Sequence, residues 1–175
     1  IGCVPTPLTY FAAFELGCAS CVSVTGSHNP PAYNGLKIVL DGRTLHGEAI
    51  QDLRRRIAED DLVEGAGALR GADVRAAYLD RIVGDVELVR PLKIVLDCGN
   101  GVAGAVAPEL FRRLGCELVE LFCEVDGRFP NHHPDPSRPE NLQDVIRALR
   151  ETDAELGLAF DGDGDRLGVV CKDGE

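Results

Sequence analysis

Asp161-Gly162-Asp163-Gly164-Asp165-Arg166 sets three carboxylates at alternate positions directly after the apolar run Leu156 to Phe160. A core strand cannot carry that pattern, because carboxylates so close repel one another unless a cation sits among them. The two glycines let the backbone curl until all three face one point. A hard divalent cation suits an all-oxygen set of this kind. The EF-hand is the obvious rival, but its loop needs Gly at the sixth position and Glu at the twelfth, where this chain has Arg166 and Lys172. Magnesium held by three carboxylates keeps positions for water or phosphate oxygens, which suits phosphoryl chemistry. Arg166 either binds a phosphate there or only offsets charge. A solvated acidic turn is the plain alternative.

A second constellation is Thr25-Gly26-Ser27-His28-Asn29-Pro30, followed by Pro31. Consecutive prolines exclude helix and interior strand, so Ser27 is expected on a stiff loop at a strand end, with the access a nucleophile or phosphoryl carrier needs. A Ser-His-Asp hydrolase would require His28 to point at Ser27, and neighbours in an extended loop point apart. The G-x-S-x-G elbow also fails, since Asn29 stands where its second Gly belongs. Lys37, on the next strand, can reach the same place as a cation or proton-transfer group. An ordinary turn remains the competing reading.

Gly99-Asn100-Gly101-Val102-Ala103-Gly104 fits G-x-G-x-x-G between an expected strand and helix, and Glu124 lies twenty residues beyond Gly104. Against a dinucleotide site stand Asp97, placed where a pyrophosphate would approach, and Pro108, placed in the helix that should offer its N-terminus. The loop Glu124 to Glu140 holds Arg128, His132, His133, Asp135 and Arg138 among four prolines. Adjacent histidines are poorly spaced for one metal, so it is expected to be an ordered domain-packing loop. The seven cysteines form an odd set, mostly within apolar runs, and read as buried thiols of a reducing compartment. The lone CxxC, Cys18 to Cys21, has neither a second pair nor a helix behind it to support zinc or redox work.

The elements that position these groups follow from pattern. Thr6 to Leu16 is expected as a helix opened by Pro7 and closed by Gly17, Cys21 to Thr25 and Leu36 to Leu40 as strands, and Asp41-Gly42 as a turn. Ile50, Leu53 and Ile57 mark one face of a further helix. Residues 60 to 72, rich in Gly, Ala and Asp, are the expected linker, with a short bridging helix at Val74 to Val83. Strand Leu92 to Leu96, helix Gly104 to Leu114, strand Cys116 to Phe122, helix Asn141 to Arg150 and strands Leu156 to Phe160 and Leu167 to Cys171 complete the chain. Alternating strands and helices predict an α/β fold of two units, with mixed, largely parallel sheets flanked by helices. Residues 1–70 and 71–175 are the expected domains.

The 175 residues carry 18 Lys and Arg against 29 Asp and Glu, a net charge of −11. That surface repels a phosphate backbone or an anionic leaflet, so neither nucleic acid nor membrane is an expected partner. No apolar run is long enough to span a bilayer and no signal peptide precedes the first helix, so a cytoplasmic location is expected. The chain starts at Ile1, has no Met, and ends in an Asp173-Gly174 hairpin signal with no return strand, so it is expected to be a piece of a longer protein.

TGSHNP followed by NGLKIV, and then FDGDGDR, resemble the phosphoserine loop and metal-binding loop of the α-D-phosphohexomutases. DCGNGVAG through FCEVDGRFPNHHPDPSRPENL is similar to the bacterial phosphomannomutase/phosphoglucomutase group within that family. The resemblance runs along essentially the whole chain and implies the later part of domain 1 plus domain 2 of a four-domain enzyme. It implies a phosphoserine at Ser27 that passes its phosphoryl group to a hexose 1-phosphate. One Mg2+ per chain would be held by Asp161, Asp163, Asp165 and a phosphate oxygen on Ser27, with glucose 1,6-bisphosphate as activator and intermediate. Arg166 would contact the phosphoserine, and His28 and Lys37 would be the proton-transfer or electrostatic groups. A phosphosugar substrate and a monomeric parent follow, and the glycine motif would belong to the fold of domain 2. Phosphoglucosamine mutase is the alternative within the superfamily, and a nucleotide-binding regulatory module the alternative outside it.

Overall fold

The computed structural model describes residues 1–30 and 32–174; Pro31 of the stiff loop and Glu175 beyond the Asp173-Gly174 turn lie outside the described residues. The chain runs α1 (Thr6–Glu15), β1 (Cys21–Thr25), β2 (Gly35–Leu40), β3 (Arg43–Thr44), α2 (Glu48–Ala58), α3 (Arg75–Asp85), β4 (Lys93–Asp97), α4 (Ala107–Arg113), β5 (Glu117–Leu121), α5 (Gln143–Glu151), β6 (Leu156–Phe160) and β7 (Leu167–Cys171). Short 3-10 turns at Val102–Ala105 and Pro139–Leu142 lead into α4 and α5. Pro108 lies in the first turn of α4, where its missing N–H costs no helical bond, and so does not interrupt the helix. The helix expected from Asn141 instead begins at Gln143, because the Asn141 side chain donates to the Asp135 carbonyl at 2.9 Å and ties the start to the preceding loop. No helix among the described residues is long and apolar enough to cross a membrane.

Two sheets result. The second has strand order β5-β4-β6-β7, with β4 parallel to β5 and β6, and β7 antiparallel to β6. Helices cover both faces, which is why β4 is apolar at consecutive positions. Ile94, Leu96 and Leu158 pack toward α4 with Ala107, while Val95, Ala159 and Val170 pack toward α5 under Val145 and Leu149. The first sheet, β1-β2-β3, is wholly antiparallel, so the parallel pairing is confined to the second. Its loops are too short to hold the crossover helix that parallel strands need.

In that antiparallel hairpin Ser23 faces Lys37 across the ladder, and Thr25 lies two residues on, pointing to the same side. The opposite side carries Val22, Val24 and Leu36, which are 52%, 70% and 60% exposed, so this apolar face is uncovered. The amphipathic helix α2 likewise buries none of its residues. A third apolar cluster joins Leu8 and Ala12 of α1 to Val74, Leu79 and Val106. The expectation of buried thiols holds for Cys98 and Cys116 only; Cys3, Cys18 and Cys171 are exposed, and all seven are free.

Leu149 is fully buried between α5 and the sheet. Leu149→Ala is expected to cost about 2–5 kcal/mol in denaturant unfolding, whereas Leu69→Ala, at a fully exposed linker position, is expected to leave the midpoint unchanged.

Candidate functional site

The acidic loop is the hairpin loop between β6 and β7, closed by the Phe160–Leu167 pair. It thus sits at the carboxyl end of a parallel strand, where α/β sheets place their ligands. Asp161 shapes it: its Oδ1 accepts the backbone N–H groups of Asp165 and Arg166 at 3.0 and 3.1 Å, and its backbone accepts Gly164 N–H at 3.1 Å. Oxygens of Asp161, Asp163 and Asp165 then lie within 4.8 Å of one another. Asp161 is fully buried and Asp163 nearly so.

Asp163 Oδ2 accepts from Lys37 Nζ at 2.7 Å, Thr6 Oγ1 at 2.8 Å and Thr25 Oγ1 at 3.0 Å. Burial pushes this carboxyl up, but those donors together outweigh it and hold its pKa at about 2. Asp161 goes the other way, raised first by burial. Lys37 Nζ also reaches Asp165 Oδ2 at 2.5 Å. Burial works against its charge, yet its two carboxylate partners prevail and the ammonium titrates above its ordinary range. Asp163 Oδ1 is buried with no partner. Three converging carboxylates, one with an oxygen left over, are the donor set a hard dication needs.

The serine loop meets this cluster from the other unit. Ser27 adopts φ +49°, a left-handed conformation rare outside glycine. It is held there by Ser27 N–H donating to Thr25 Oγ1 at 2.8 Å and Asn29 N–H donating to the Gly26 carbonyl at 2.9 Å. The loop is therefore not extended, and His28 does turn toward Ser27: its Nδ1 is 3.3 Å from Ser27 Oγ. Ser27 Oγ in turn donates to Asp161 Oδ2 at 3.1 Å. Arg166 Nη1 lies 3.4 Å from His28 Nε2, so the guanidinium, the imidazole, the hydroxyl and the acidic loop form one chain of contacts. All seven residues singled out in the sequence are thereby gathered. Ser27 and Asp163 border a cleft of about 470 Å³ that also takes in Thr6, Thr9 and Phe129.

The chain matches two known domain families. Residues 1–64 match phosphoglucomutase/phosphomannomutase, alpha/beta/alpha domain I, and residues 76–174 match alpha/beta/alpha domain II. The chain belongs to the phosphoglucomutase/phosphomannomutase family. It is 55% identical over 174 residues to a phosphomannomutase/phosphoglucomutase of Pseudomonas aeruginosa, covering 99% of this chain and 38% of that protein. A probable phosphoglucosamine mutase of Methanothermobacter thermautotrophicus is 38% identical over 179 residues, covering 99% of this chain and 40% of that protein. The crystal structure of a phosphoglucomutase/phosphomannomutase family protein from Burkholderia thailandensis superposes with a TM-score of 0.93 at 56% identity, over 98% of this chain and 39% of that one. The chain thus spans well under half the length of these relatives.

In this family member the glycine motif is consumed by packing. The N–H groups from Gly99 to Val102 are all taken, by Asp97 Oδ1 and by the carbonyls of Phe122, Cys98 and Gly162, leaving none for a pyrophosphate. A Cβ on Gly101 would meet the Gly162 carbonyl at 2.8 Å, and one on Gly104 the Cys123 carbonyl at 2.0 Å. The proline-rich loop packs as expected: His133 Nε2 donates to the His28 carbonyl at 2.5 Å, and Pro134 lies against Gly99 and Gly162. The sequence gives no sign that Thr6 and Thr25 bond to the acidic loop. Thr6 stands 157 residues from its partner Asp163, and no local pattern announces such a pairing.

Asp97 is buried and meets His132 Nε2 at 3.0 Å. This hydrogen bond, against the opposing effect of burial, raises the His132 pKa above its usual value. A histidine raised on folding stabilises fully below its unfolded pKa, and that contribution is lost as pH climbs through the folded value. His132→Gln is therefore expected to lose more stability, relative to the parent sequence, at pH 6 than at pH 9, as read by urea unfolding at both.

Proposed function

We propose that the full-length parent of this chain is a phosphohexomutase that interconverts the 1- and 6-phosphates of mannose and glucose by a phosphoryl group carried on Ser27. In this reading residues 1–70 are part of domain 1 with the phosphoserine loop, and residues 71–175 are domain 2 with the metal loop. The observation that carries it is the 3.1 Å contact of Ser27 Oγ with Asp161 Oδ2, which sets a half-buried loop hydroxyl against a three-carboxylate cluster. Mannose and glucose are favoured over glucosamine because the chain is more similar to the mannose/glucose relative.

Asp161, Asp163 and Asp165 would hold Mg2+ together with a phosphate oxygen on Ser27. The ion would supply charge neutralisation for the transferring phosphoryl group. The chain's own groups do the positioning. Thr25 Oγ1 accepts Ser27 N–H and donates to Asp163, so one hydroxyl fixes the carrier relative to the acidic loop. His28 borders the serine oxygen and Arg166 borders His28, and the two would bind the phosphoryl oxygens. Lys37 is held cationic by two carboxylates, which suits it to electrostatic stabilisation of transfer rather than to giving up a proton. A hexose 1-phosphate would accept the phosphoryl group through its 6-hydroxyl, turn over as the 1,6-bisphosphate, and return its 1-phosphate to Ser27. The parent would work as a monomer in the cytoplasm, where free thiols are maintained.

The test is phosphopeptide mapping of the full-length protein purified with Mg2+ and glucose 1,6-bisphosphate. An addition of roughly 80 Da on the Ser27 peptide is expected, and none in Ser27→Ala; a bare Ser27 in a folded, Mg2+-binding protein would remove the central step. Asp163→Asn is expected to lower Mg2+ affinity by about 10-fold or more in calorimetry, and unchanged affinity would sink the metal assignment.

A further inference from the structure

Cys98 and Cys123 take no part in the proposed chemistry, yet the fold brings their sulfurs to 3.5 Å. The parallel strands β4 and β5 end level, with Asp97 opposite Leu121, and each cysteine lies just past its strand end. At Phe122 the backbone enters the left-handed region, φ +50°, and the next side chain, Cys123, comes to meet Cys98. Cys98 is fully buried, Cys123 half-buried, and no other two sulfurs are in contact among the described residues. Contact with Cys123, and then burial, push Cys98 far up, while the same contact lowers Cys123. Cys123 is the outer, more accessible thiol of the pair and Cys98 the inner one.

We propose that Cys98 and Cys123 form a reversible disulfide under hydroperoxide, and that this bond controls the acidic loop. The Cys123 thiolate attacks one peroxide oxygen; the O–O bond breaks, a sulfenic acid forms on Cys123, and hydroxide leaves. The Cys98 sulfur then displaces the hydroxyl from Cys123. An S–S bond forms, the S–O bond breaks, and the Cys98 proton departs with that hydroxide as water. Two thiols give up two electrons, and the hydroperoxide is reduced to water or an alcohol with release of one further water. A dithiol reverses the step by exchange.

The sulfurs must close from 3.5 Å to about 2.05 Å, and the turn that must yield is the one that backs the acidic loop. The Cys98 carbonyl accepts Gly101 N–H at 2.7 Å, Asn100 N–H donates to the Phe122 carbonyl at 2.8 Å, and Val102 N–H donates to the Gly162 carbonyl at 3.1 Å. Gly101 lies so near Gly162 that no Cβ fits between them. Displacement of the turn therefore passes to the loop that carries Asp161 and Asp163. This second part rests on the metal reading given above.

The experiment uses the full-length protein, treated with hydrogen peroxide, alkylated, and digested with trypsin and a Glu-specific protease that separates Cys116 from Cys123. The expected result is a linked Cys98–Cys123 peptide lighter by about 2 Da than its two thiol parts, lost on dithiothreitol treatment and absent in Cys123→Ser. Cys98→Ala serves as the second variant should Cys123→Ser fail to fold. Recovery of both cysteines alkylated, or linkage of either to an exposed cysteine instead, overturns the proposal. Calorimetry on the linked form is expected to show Mg2+ binding weakened roughly tenfold, restored by dithiothreitol. Equal affinity in linked and reduced protein overturns the coupling to the acidic loop, whereas a reduced protein that binds no Mg2+ counts against the metal site and leaves the disulfide standing.

Discussion

Three carboxylates whose oxygens converge within 4.8 Å repel one another, at roughly 3 kcal/mol for each pair about 5 Å apart in a medium of effective dielectric near 20. Much of the molecule is arranged around that repulsion. The N-terminus of α1 contributes the Thr6 N–H and hydroxyl, β1 contributes Thr25, and β2 contributes the Lys37 ammonium, all to Asp163 or its neighbours. These donors come from one unit and the carboxylates from the other. The same electrostatics that make the acidic loop costly thus draw the serine loop against it.

The alternation of Asp and Gly after an apolar run was enough to place the acidic loop at a strand end, because like charge excludes a core position and glycine permits the curl. The strands were legible for similar reasons, and β1, β6 and β7 begin and end where apolar patterning sets them. The failures have physical causes. An extended loop would point His28 away from Ser27, but the left-handed turn at Ser27 is set by Thr25 and the Gly26 carbonyl, contacts that pattern does not encode. The parallel habit of the second sheet was extended to the first, where no connection carries a crossover. Thr6 looked like an ordinary first-turn residue, since its role depends on a partner at the far end of the chain.

The glycine run after β4 shows how one string can serve two different purposes. In a dinucleotide site its N–H groups stay free and its missing Cβ atoms admit a pyrophosphate. Here the N–H groups are spent internally, and the space is filled by the backbones of Gly162 and Cys123. Sequence pattern records the missing Cβ atoms but not what approaches them. Asp97 was the clue available, since a carboxylate behind such a turn bonds its N–H groups and competes with a phosphate.

The two units also meet backbone to backbone at the centre of the cleft: a Cβ on Gly162 would lie 2.4 Å from the Ser27 carbonyl. The spacing between serine and acidic loop is therefore gauged by main-chain atoms, which every residue shares, and hardly by side-chain size. Substitutions can accumulate around the rim of the cleft, altering which molecules it admits, while this gauge holds constant. The separation of serine and acidic loop then stays fixed while the rim varies, provided that position 162 stays without a side chain.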